Sequence, residues 1–507
     1  MTLRSTENRR LVLAVATVLC CLLYTVDSTI VNVALPHMQG SLQASQDQIA
    51  WVLTSYIVTS AIATPPAGWL ASRFGLRRVL TIAVLGFTLG SMLCGFAATL
   101  GEMVLFRVMQ GVFGAALVPL SQVALMQEFP REQHGKVMAL WTIGVLVGPI
   151  IGPTLGGYLT DEMSWRWAFF INLPIGLLAY FGVLEGLDAE HDDHSRPFDW
   201  TGFVLLSLTI GLFQLMLDRG QTLDWFDSTE IVAEAFFAAV LCYMFFVHSA
   251  TARHPFVDPS LFRDRNFFVS VALMLVVGIS VLSPAVLLPS FLQSLQGYSP
   301  TQAGELQAIR GFSSILAVIV ASRLTGRIDA RLIVGAGVLF SGASLVLMGG
   351  FTLDTSRLHV AAIAFVQGLG TPLVFVPLSV IAYSTLRDNQ RAEAGAILTL
   401  ARNIGSSVGI SMAVALLARS TQVNRSYLAE HFTAYDAQRW AATGVSPGFN
   451  VGTAQLVGLI EKQAAAIAYS NAFHMLATAT VLVLPLVWLL NARRRKAGAS
   501  VEVGELA

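Results

Sequence analysis

Long apolar segments alternate with short polar segments along almost the whole chain. Hydrophobic residues make up 55% of its 507 residues and charged residues only 12%, about half the charged fraction of an ordinary soluble domain. The lipid core is about 30 Å thick, so a helix needs about 20 apolar residues to cross it. Barrel strands would alternate apolar and polar residues over about ten positions, whereas these runs are continuous. The pattern therefore predicts an all-α integral membrane protein.

Fourteen membrane-spanning helices are predicted, and we number them spans 1 to 14. They lie near residues 11–35, 49–71, 79–98, 102–125, 136–159, 165–185, 200–217, 230–249, 266–290, 301–322, 331–350, 359–381, 395–419 and 470–491. Span 1 follows Arg9 and Arg10 as the core of a signal peptide would, but it is too long and lacks a cleavage-like site. We therefore expect it to be retained, and an even number of spans places both termini on one side.

The distribution of arginine and lysine predicts the orientation. The chain has no net charge, yet most of its 31 Lys and Arg residues fall on one side of the predicted membrane. They include Arg73, Arg77 and Arg78 after span 2 and residues 493–496 at the C-terminus. Because cytoplasmic segments carry the excess of positive charge, both termini are predicted to be cytoplasmic. No basic domain supports a nucleic-acid role.

The chain contains an internal repeat. The pattern Ala-x-x-Leu-x-x-Arg-x-x-x-Arg at 67–77 returns at 321–331, and Gln110-Gly111 returns as Gln367-Gly368. Because the offsets are nearly equal, spans 1–6 match spans 9–14, and spans 7 and 8 are inserted between the halves. The predicted units are an N-terminal half, a linker with the inserted helices and a C-terminal half, at 11–185, 186–265 and 266–491. Such repeats are typical of transporters with a site at the midplane.

Two of the charged residues predicted to lie inside the membrane differ between the repeated halves. Asp27 falls in span 1, where the second half has Ser280, and Arg107 falls in span 4, where the second half has Ala364. Buried charges are costly in lipid and usually functional. Their depths, about 12 Å and 8 Å from the outer helix ends, allow contact. We hypothesise that Arg107 pairs with deprotonated Asp27 and that protonation or substrate releases the pair. The alternatives are a structural acid and a snorkelling arginine.

Span 5 carries a dense pattern of glycine and proline. The residues are Gly144, Gly148, Pro149, Gly152, Pro153, Gly156 and Gly157. Glycines four apart form a groove that lets another helix approach closely. The two prolines are expected to bend the helix and free backbone carbonyls. The pattern predicts a conformational hinge beside a cavity, with dense packing alone as the alternative.

The loop between spans 2 and 3 is a candidate cytoplasmic gate. Its residues of interest are Gly68, Arg73, Gly75, Arg77 and Arg78. Arginines here can bond the carbonyls at helix C-termini and a neighbouring acid, which would latch one conformation. The alternative is that they only set the topology.

Further polar residues within the spans are candidates for substrate contact. Arg310 in span 10 lies roughly 14 Å deep, which argues for a water-lined cavity and an anionic group on the substrate. Glu305 in the same span, Arg402 in span 13, and Asn32 and Gln122 in spans 1 and 4 complete the set.

The segment 420–469 is long for a connection on the outer side. Tyr427–Trp440 and Ala454–Ala468 have helical composition. It is either a flexible loop or a docking surface for an extracytoplasmic partner, and the sequence leaves both open.

No motif of a soluble enzyme is present: there is no P-loop, HExxH, paired CxxC or GxSxG sequence. We predict no catalytic residue, no metal site and no cofactor, and we expect an ion gradient to supply the energy. A membrane enzyme would need a His/Asp or Ser/His cluster, and His134, His248 and His254 have no such partner nearby in the sequence. A sensor would need neither Asp27 nor the glycine-rich helix.

Four stretches carry a family resemblance: VDSTIVNVALP at 26–36, GWLASRFG at 68–75, RVMQG at 107–111 and WRWAFFINLPIG at 165–176. With the glycine–proline span 5, they resemble the major facilitator superfamily, in its 14-helix drug:proton antiporter branch. The resemblance extends from about residue 11 to 491. It implies proton-driven export of amphipathic drugs across a bacterial inner membrane. It also implies a periplasmic adaptor of the EmrA type and an outer-membrane channel, with Asp27 and Arg107 as proton-coupling residues.

The sequence departs from that branch at several positions. Ser72 stands where the loop motif often has Asp, and Ile309-Arg310 stand where relatives usually have an apolar stretch with proline. Glu305 is equally atypical. These departures keep a second hypothesis open, a dedicated exporter of one metabolite such as a fatty acid or siderophore.

Overall fold

A computed structural model describes residues 3–44, 46–49, 51–188, 198–253, 255–325, 327–387, 390–430 and 451–490. The α-helices of this part of the chain are α1 (Leu3–Ser41), α2 (Gln46–Ile49), α3 (Trp51–Ala63), α4 (Pro66–Phe74), α5 (Leu76–Phe96), α6 (Leu100–Gly114), α7 (Leu117–Glu128), α8 (His134–Glu162), α9 (Trp167–Phe170), α10 (Asn172–Gly186), α11 (Trp200–Arg219), α12 (Thr229–Thr251), α13 (Ser260–Arg263), α14 (Arg265–Ser294), α15 (Pro300–Leu324), α16 (Ala330–Gly349), α17 (Arg357–Ser384), α18 (Arg391–Glu430), α19 (Val451–Val481) and α20 (Leu484–Val487). Short 3₁₀ helices lie at Arg131–Gln133 and Trp225–Asp227.

Within the described residues, 12 helical segments are long and apolar enough to cross a membrane. The apolar α3 is shorter, and the 29-residue α8 covers predicted span 5. Large apolar side chains on the outer surface, such as Phe236, Tyr243 and Phe246 of α12, are mostly exposed. Because a soluble protein would bury such side chains and lipid does not require it, this surface suits a bilayer.

Four predicted spans consist of two helices each, which the apolar pattern did not reveal. Span 2 divides into α3 and α4 at Thr64 and Pro65, span 4 into α6 and α7, span 6 into α9 and α10 at Ile171, and span 14 into α19 and α20 after Val481. In span 2 the cause is the Pro65–Pro66 pair, because proline removes an amide donor and disfavours a helical residue before it.

The glycine-rich face of α8 packs against α1. Ideal Cβ atoms on Gly148 and Gly152 would overlap the side chains of Thr25 and Thr29. Those hydroxyls lie 3.4 Å and 3.3 Å from the backbone oxygens of Gly144 and Gly148, to which they donate. The helix runs without interruption through positions 149, 153 and 157, while the side chains of Pro149 and Pro153 lie outside the described part. The close approach is therefore observed, and the hinge stays a prediction.

A second pair of helices packs in the same way in the other half. Glycines 405 and 409 of α18 face Leu275 and Ile279 of α14, so closely that a Cβ at either glycine would overlap a neighbouring atom. The pairs α1–α8 and α14–α18 thus use glycine for the same purpose, which is contact between helix backbones.

One end of the bundle carries Arg73, Arg77 and Arg78, and we call it the arginine-rich end. Arg77 donates from Nη2 to the Leu184 carbonyl, near the C-terminus of α10, at 2.6 Å. Gly75 has φ of +81°, a conformation that favours glycine. The glycine thus permits the tight turn between α4 and α5 that directs Arg77 to its partner.

Asp188 and Arg9 form an ion pair at the same end. Nη2 of Arg9 lies 2.6 Å from Oδ2 of Asp188 and 3.5 Å from Oε2 of Glu128. The hydrogen bond from Arg9 holds the pKa of the exposed Asp188 carboxyl below its usual value. These contacts connect the start of α1 to the ends of α7 and α10.

The inserted helices α11 and α12 pack against each other, and α11 also contacts α3 and α18. Asp199 caps α11 by accepting from the Gly202 amide at 2.9 Å, and it also accepts from the Phe256 amide and contacts His248 at 2.8 Å. Burial raises the pKa of Asp199, but these hydrogen bonds outweigh burial and leave it lowered. His248 therefore has an acidic partner that sequence spacing did not reveal. The pair lies at the N-terminus of α11, which Asp199 caps.

The two halves contact each other at the arginine-rich end. Tyr383 of α17 donates to Oε1 of Gln122 at 3.1 Å, and Arg391 donates to the Met126 carbonyl at 3.5 Å. Trp141 of the first half also stacks on Phe375 of the second, with ring centres 5.7 Å apart. An apolar cluster that includes both rings continues across the interface. The halves are therefore closed together at this end.

The segment 420–469 is partly helical. Helix α18 continues to Glu430 and α19 begins at Val451, so both helices extend beyond the predicted spans 13 and 14. The helical composition at Ala454–Ala468 corresponds to the first part of α19. Most of Tyr427–Trp440 lies outside the described residues.

Candidate functional site

Asp27 and Arg107 meet inside the N-terminal half. Nη1 of Arg107 lies 2.7 Å from Oδ2 of Asp27, and neither side chain has any exposed surface. Charge-assisted hydrogen bonds of this length are among the stronger ones in proteins. The structure therefore joins α1 to α6 through a buried ion pair.

The second carboxylate oxygen of Asp27 accepts two further hydrogen bonds. Gln110 donates from Nε2 at 2.8 Å and Asn172 donates from Nδ2 at 3.1 Å. The Asn172 amide also donates to Ser91 at 2.9 Å, and Ser91 donates to the backbone oxygen of Phe169. A charged carboxylate only accepts hydrogen bonds, and the two oxygens of Asp27 together accept from the three donors Arg107, Gln110 and Asn172.

Arg107 is held from several sides. Its Nε donates to the Val52 carbonyl at 3.0 Å, and its Nη1 also donates to Oε1 of Gln110 at 2.7 Å. The guanidinium carbon stands 4.1 Å from the ring centre of Tyr56 and 5.9 Å from that of Phe169. Such placement over an aromatic ring stabilises a cation. The Nη2 atom is buried and has no partner among the described residues.

The helix breaks help to assemble this site. Asn172 is the first residue of α10, directly after the break that separates α9 from α10. A capping box of Thr99 and Glu102 starts α6, and Arg107 and Gln110 follow three residues apart on one helix face. One carboxylate thereby connects residues of α1, α6 and α10, and the arginine adds α3.

Sequence reasoning did not assign Gln110, Asn172 or Ser91 to the site. Gln110 and Asn172 are amides within apolar spans and belong to the RVMQG and WRWAFFINLPIG stretches. An amide at such a depth needs hydrogen-bond partners, which was the available signal. Ser91 gave no signal, because a hydroxyl in a membrane helix can bond to its own backbone.

The substrate candidates do not form one cluster. Glu305 pairs with Arg357 at the surface of the molecule, where both side chains are 55% exposed. Gln122 takes part in the contact with Tyr383 between the halves. Arg310 lies in α15 and donates to Gln307 at 3.5 Å.

Arg402 lies at the interface of the halves, 6.0 Å from the ring centre of Phe375. The side chain of Asn32 lies outside the described residues, although its backbone belongs to α1. Within the described part of the chain, no group of three or more His, Cys, Asp and Glu residues has the arrangement of a metal site.

A family model described as Major Facilitator Superfamily matches residues 17–409 and, in a second match, residues 267–503. The chain belongs to this superfamily. The predicted all-α major facilitator fold is confirmed, and the protein is a multi-pass membrane protein of a transporter family.

Several curated proteins are similar over most of their length. The fatty acid resistance protein FarB of Neisseria gonorrhoeae is 35% identical over 471 residues, which are 91% of this chain and 92% of that protein. The multidrug export protein EmrB of Haemophilus influenzae is 36% identical and covers 84% of each chain. EmrB of Escherichia coli K12 is 32% identical and covers 94% of each chain. These matches confirm the resemblance to EmrB-type export proteins.

Solved structures share the fold at low sequence identity. The human organic anion transporter MFSD10 has a TM-score of 0.62 at 14% identity, with 95% of this chain and 99% of that chain covered. The proton:xylose symporter XylE has a TM-score of 0.63 at 13% identity, with 95% and 96% covered.

Proposed function

We propose that the protein is a proton-coupled antiporter that exports amphipathic drugs or toxic compounds across a bacterial inner membrane. The observation that carries the proposal is the fully buried carboxylate of Asp27, held by Arg107, Gln110 and Asn172. Its relatives include multidrug export proteins. A group that changes charge inside the membrane can couple a proton to a change of conformation.

Protonation of Asp27 weakens every bond to its carboxylate. The neutral acid loses most of its electrostatic attraction for Arg107. One of its oxygens also becomes a hydrogen-bond donor, although the neighbouring Gln110 and Asn172 side chains are themselves donors and need acceptors. Arg107 is then a buried cation without an anion, which is unstable. One proton that moves through 100 mV supplies about 2.3 kcal/mol, enough to bias such a pair. We infer that protonation releases α1 from α6 and α10.

Movement of α1 would reach the rest of the molecule through α8. Thr25 and Thr29, on either side of Asp27, lie against Gly148 and Gly152, so α1 cannot shift without sliding along the glycine face. Because α8 also packs on α15 and α17 of the other half, it can transmit the shift to the closed contacts. We therefore propose that the glycine-rich face of α8 acts as the hinge.

We propose that the arginine-rich end is cytoplasmic. The halves are joined there by the Gln122–Tyr383 and Arg391–Met126 bonds, so this conformation is the one closed to the cytoplasm. The intact Asp27–Arg107 pair then represents the state that awaits a proton from outside. Proton uptake would open the gate at the arginine-rich end.

The test compares Asp27→Asn with Asp354→Asn, which makes the same chemical change at an exposed loop position. In an efflux-deficient host, wild type and Asp354→Asn should protect against several unrelated amphipaths, and Asp27→Asn should protect at least about tenfold less at equal expression. Detergent-solubilised wild type should also release protons when such a compound is added, while Asp27→Asn should not. Full protection by Asp27→Asn would refute the role of this carboxylate.

A second candidate function is the export of a single metabolite, such as a fatty acid or siderophore. The similarity to the fatty acid resistance protein FarB favours it. The same compound panel separates the two functions, because a dedicated exporter protects against one chemical class only.

We also propose that the outer ends of α18 and α19 dock a periplasmic adaptor of the EmrA type, which leads to an outer-membrane channel. The 40 residues of α18 extend about 60 Å, twice the thickness of the lipid core. Asn471 bonds Ser420 at 2.9 Å and Arg425 pairs with Glu461 at 3.3 Å, so the two ends form a paired projection. Tyr427 on it is 63% exposed and offers an apolar contact.

Deletion of residues 421–465 tests the docking proposal. Transport into the periplasm should persist, and efflux across the outer membrane should be lost. A loss of both would mean that the projection is needed for the pump itself and would refute a pure docking role. Tyr427→Asp offers a milder version that keeps both helices.

A further inference from the structure

Arg402 of α18 lies between the two halves. Its guanidinium carbon is 6.0 Å from the ring centre of Phe375 in α17. It is also close enough to interact electrostatically with the Tyr24 hydroxyl and the Cys21 thiol of α1. Tyr24 packs against an apolar cluster of the first half and against the cluster that continues across the interface. The guanidinium is therefore directed at the interface and away from lipid.

This arginine has no anionic partner in the part of the chain that the structure describes. Among the residues that the structure describes, no carboxylate forms a salt bridge with Arg402, and its guanidinium donates no hydrogen bond. Arg107, which is fully buried whereas Arg402 is only partly buried, has a carboxylate, a backbone carbonyl and an amide oxygen as acceptors. A guanidinium inside the membrane is costly without a counter-charge, and one aromatic face offsets only part of that cost. Arg402 is thus suited to an anion supplied from outside the chain.

Aromatic rings lie near the guanidinium. Phe375, over which the guanidinium stands, stacks on Trp141 with 12° between the ring planes. Tyr24, which interacts electrostatically with Arg402, lies beside Tyr56 with ring centres 6.0 Å apart. Flat apolar surfaces next to a cation match a molecule with an anionic group and an apolar body.

The same rings connect this place to the ion pair. Tyr56 lies 4.1 Å from the guanidinium carbon of Arg107, and Tyr24 lies one helical turn from Asp27 on α1. A continuous row therefore runs from Arg402 through Tyr24 and Tyr56 to Arg107 and Asp27. A negative charge that arrives at one end of this row changes the electrostatic field at the other.

We propose that Arg402 binds an anionic group, of carboxylate type, on the exported compound, and that the apolar body of the compound lies between Tyr24 and Phe375. The preferred substrates are then anionic amphipaths. This inference rests on the proposed export function and names the substrate class for it. It assigns charge recognition to Arg402 and proton coupling to Asp27.

The experiment measures binding with two probes that share one skeleton. These are 1-pyrenebutyric acid, an anion at neutral pH, and its neutral amide, 1-pyrenebutyramide. Their Kd values are measured by fluorescence anisotropy on the full-length protein in lipid nanodiscs, with the signal of empty nanodiscs subtracted. The proteins are wild type, Arg402→Gln, Arg402→Lys and Arg357→Gln, which removes the same charge from an exposed pair.

The readout is the ratio of the two Kd values. Wild type and Arg357→Gln should bind the acid at least about tenfold more tightly than the amide, and Arg402→Gln should bring the ratio close to one. Arg402→Lys should retain an intermediate ratio, since lysine keeps the charge but not the planar donor pair. If Arg402→Gln does not fold, an unchanged ratio in Arg402→Lys would overturn the proposal.

A wild-type ratio near one, or equal weakening of both probes in Arg402→Gln, would also overturn it, because the role of Arg402 would then be structural. The binding measurement needs no proton gradient. Failure of the export function would appear instead as unaltered protection by Asp27→Asn, so the two failures are distinguishable.

Discussion

The two halves of the bundle agree at some equivalent positions and differ at others. Gly111 of α6 lies against the backbone of α3 at Tyr56, and Gly368 of α17 lies against the backbone of α15 at Arg310. The preceding glutamines, at positions 110 and 367, are also shared. At the shared glycines the residue serves the contact between two helices, whereas the shared Gln110 donates to Asp27 in the first half.

The difference lies around Asp27. The first half has a buried ion pair there, whereas the second half has Ser280 and Ala364 at the equivalent positions. Ser280 shares a 2.7 Å hydrogen bond with Thr480 and lines a small cavity with Ser341 and aliphatic side chains. The fold therefore does not require a charge at this place. The first half therefore carries two charges that the shared fold does not need, as expected of residues with a functional role.

The largest effect is expected when one member of the ion pair is removed. Arg107→Leu leaves the Asp27 carboxylate buried without a cation, which should cost about 3–5 kcal/mol of stability. Thermal unfolding in detergent measures the loss. The double variant with Asp27→Asn should recover much of it, because no charge then remains buried. If the double variant is no more stable than Arg107→Leu, packing rather than charge dominates at this position.

Steric change on the glycine face should have the next largest effect. Gly148→Val introduces a Cβ into the space of Thr25 and should cost about 1–3 kcal/mol, with reduced export. Gly101→Val is the matched control, since a Cβ there has no neighbour within 4 Å. Equal melting temperatures of the two variants would contradict the close contact between α8 and α1.

Asn172→Ala should have an intermediate effect. It removes the donor to Asp27 and Ser91, a loss of about 1–2 kcal/mol for hydrogen bonds of this kind. Export should fall, because Asp27 is no longer held in place. Ser270→Ala is a control for polar truncation in the other half, since that hydroxyl has no partner in the described residues. Unchanged export by Asn172→Ala would remove it from the site.

Ser280→Ala tests the second half of the comparison. It removes the hydrogen bond with Thr480 and should cost about 1 kcal/mol, and proton-driven export should continue. Export and melting temperature are measured beside Asp27→Asn. Loss of proton coupling in Ser280→Ala would show that the two halves share the proton site, contrary to the comparison.

The smallest effect is expected at the outer surface. Glu305→Gln breaks a half-exposed pair with Arg357, and such pairs contribute about 0–1 kcal/mol. Neither the melting temperature nor the export of amphipaths should change measurably. A clear loss of export would return Glu305 to the substrate site that the sequence suggested for it.

The helical membrane class, the approximate spans and the two intramembrane charges were predictable. Apolar runs of about 20 residues have one stable form in lipid, and the cost of an isolated charge made Asp27 and Arg107 conspicuous and suggested that they meet. The breaks at Thr64 and Ile171 were harder to predict, since an interrupted helix has the same apolar composition as a continuous one.

What the sequence by itself determined is therefore the class, the repeat and the residues that are costly in lipid, because these depend on composition and periodicity. Tertiary structure alone decided which groups meet: Asn172 and Gln110 at the carboxylate, Gln122 with Tyr383, and Arg402 with aromatic rings but no acid. Such contacts join residues far apart in the chain. They depend on how each helix is rotated and packed against its neighbours, which local pattern does not encode.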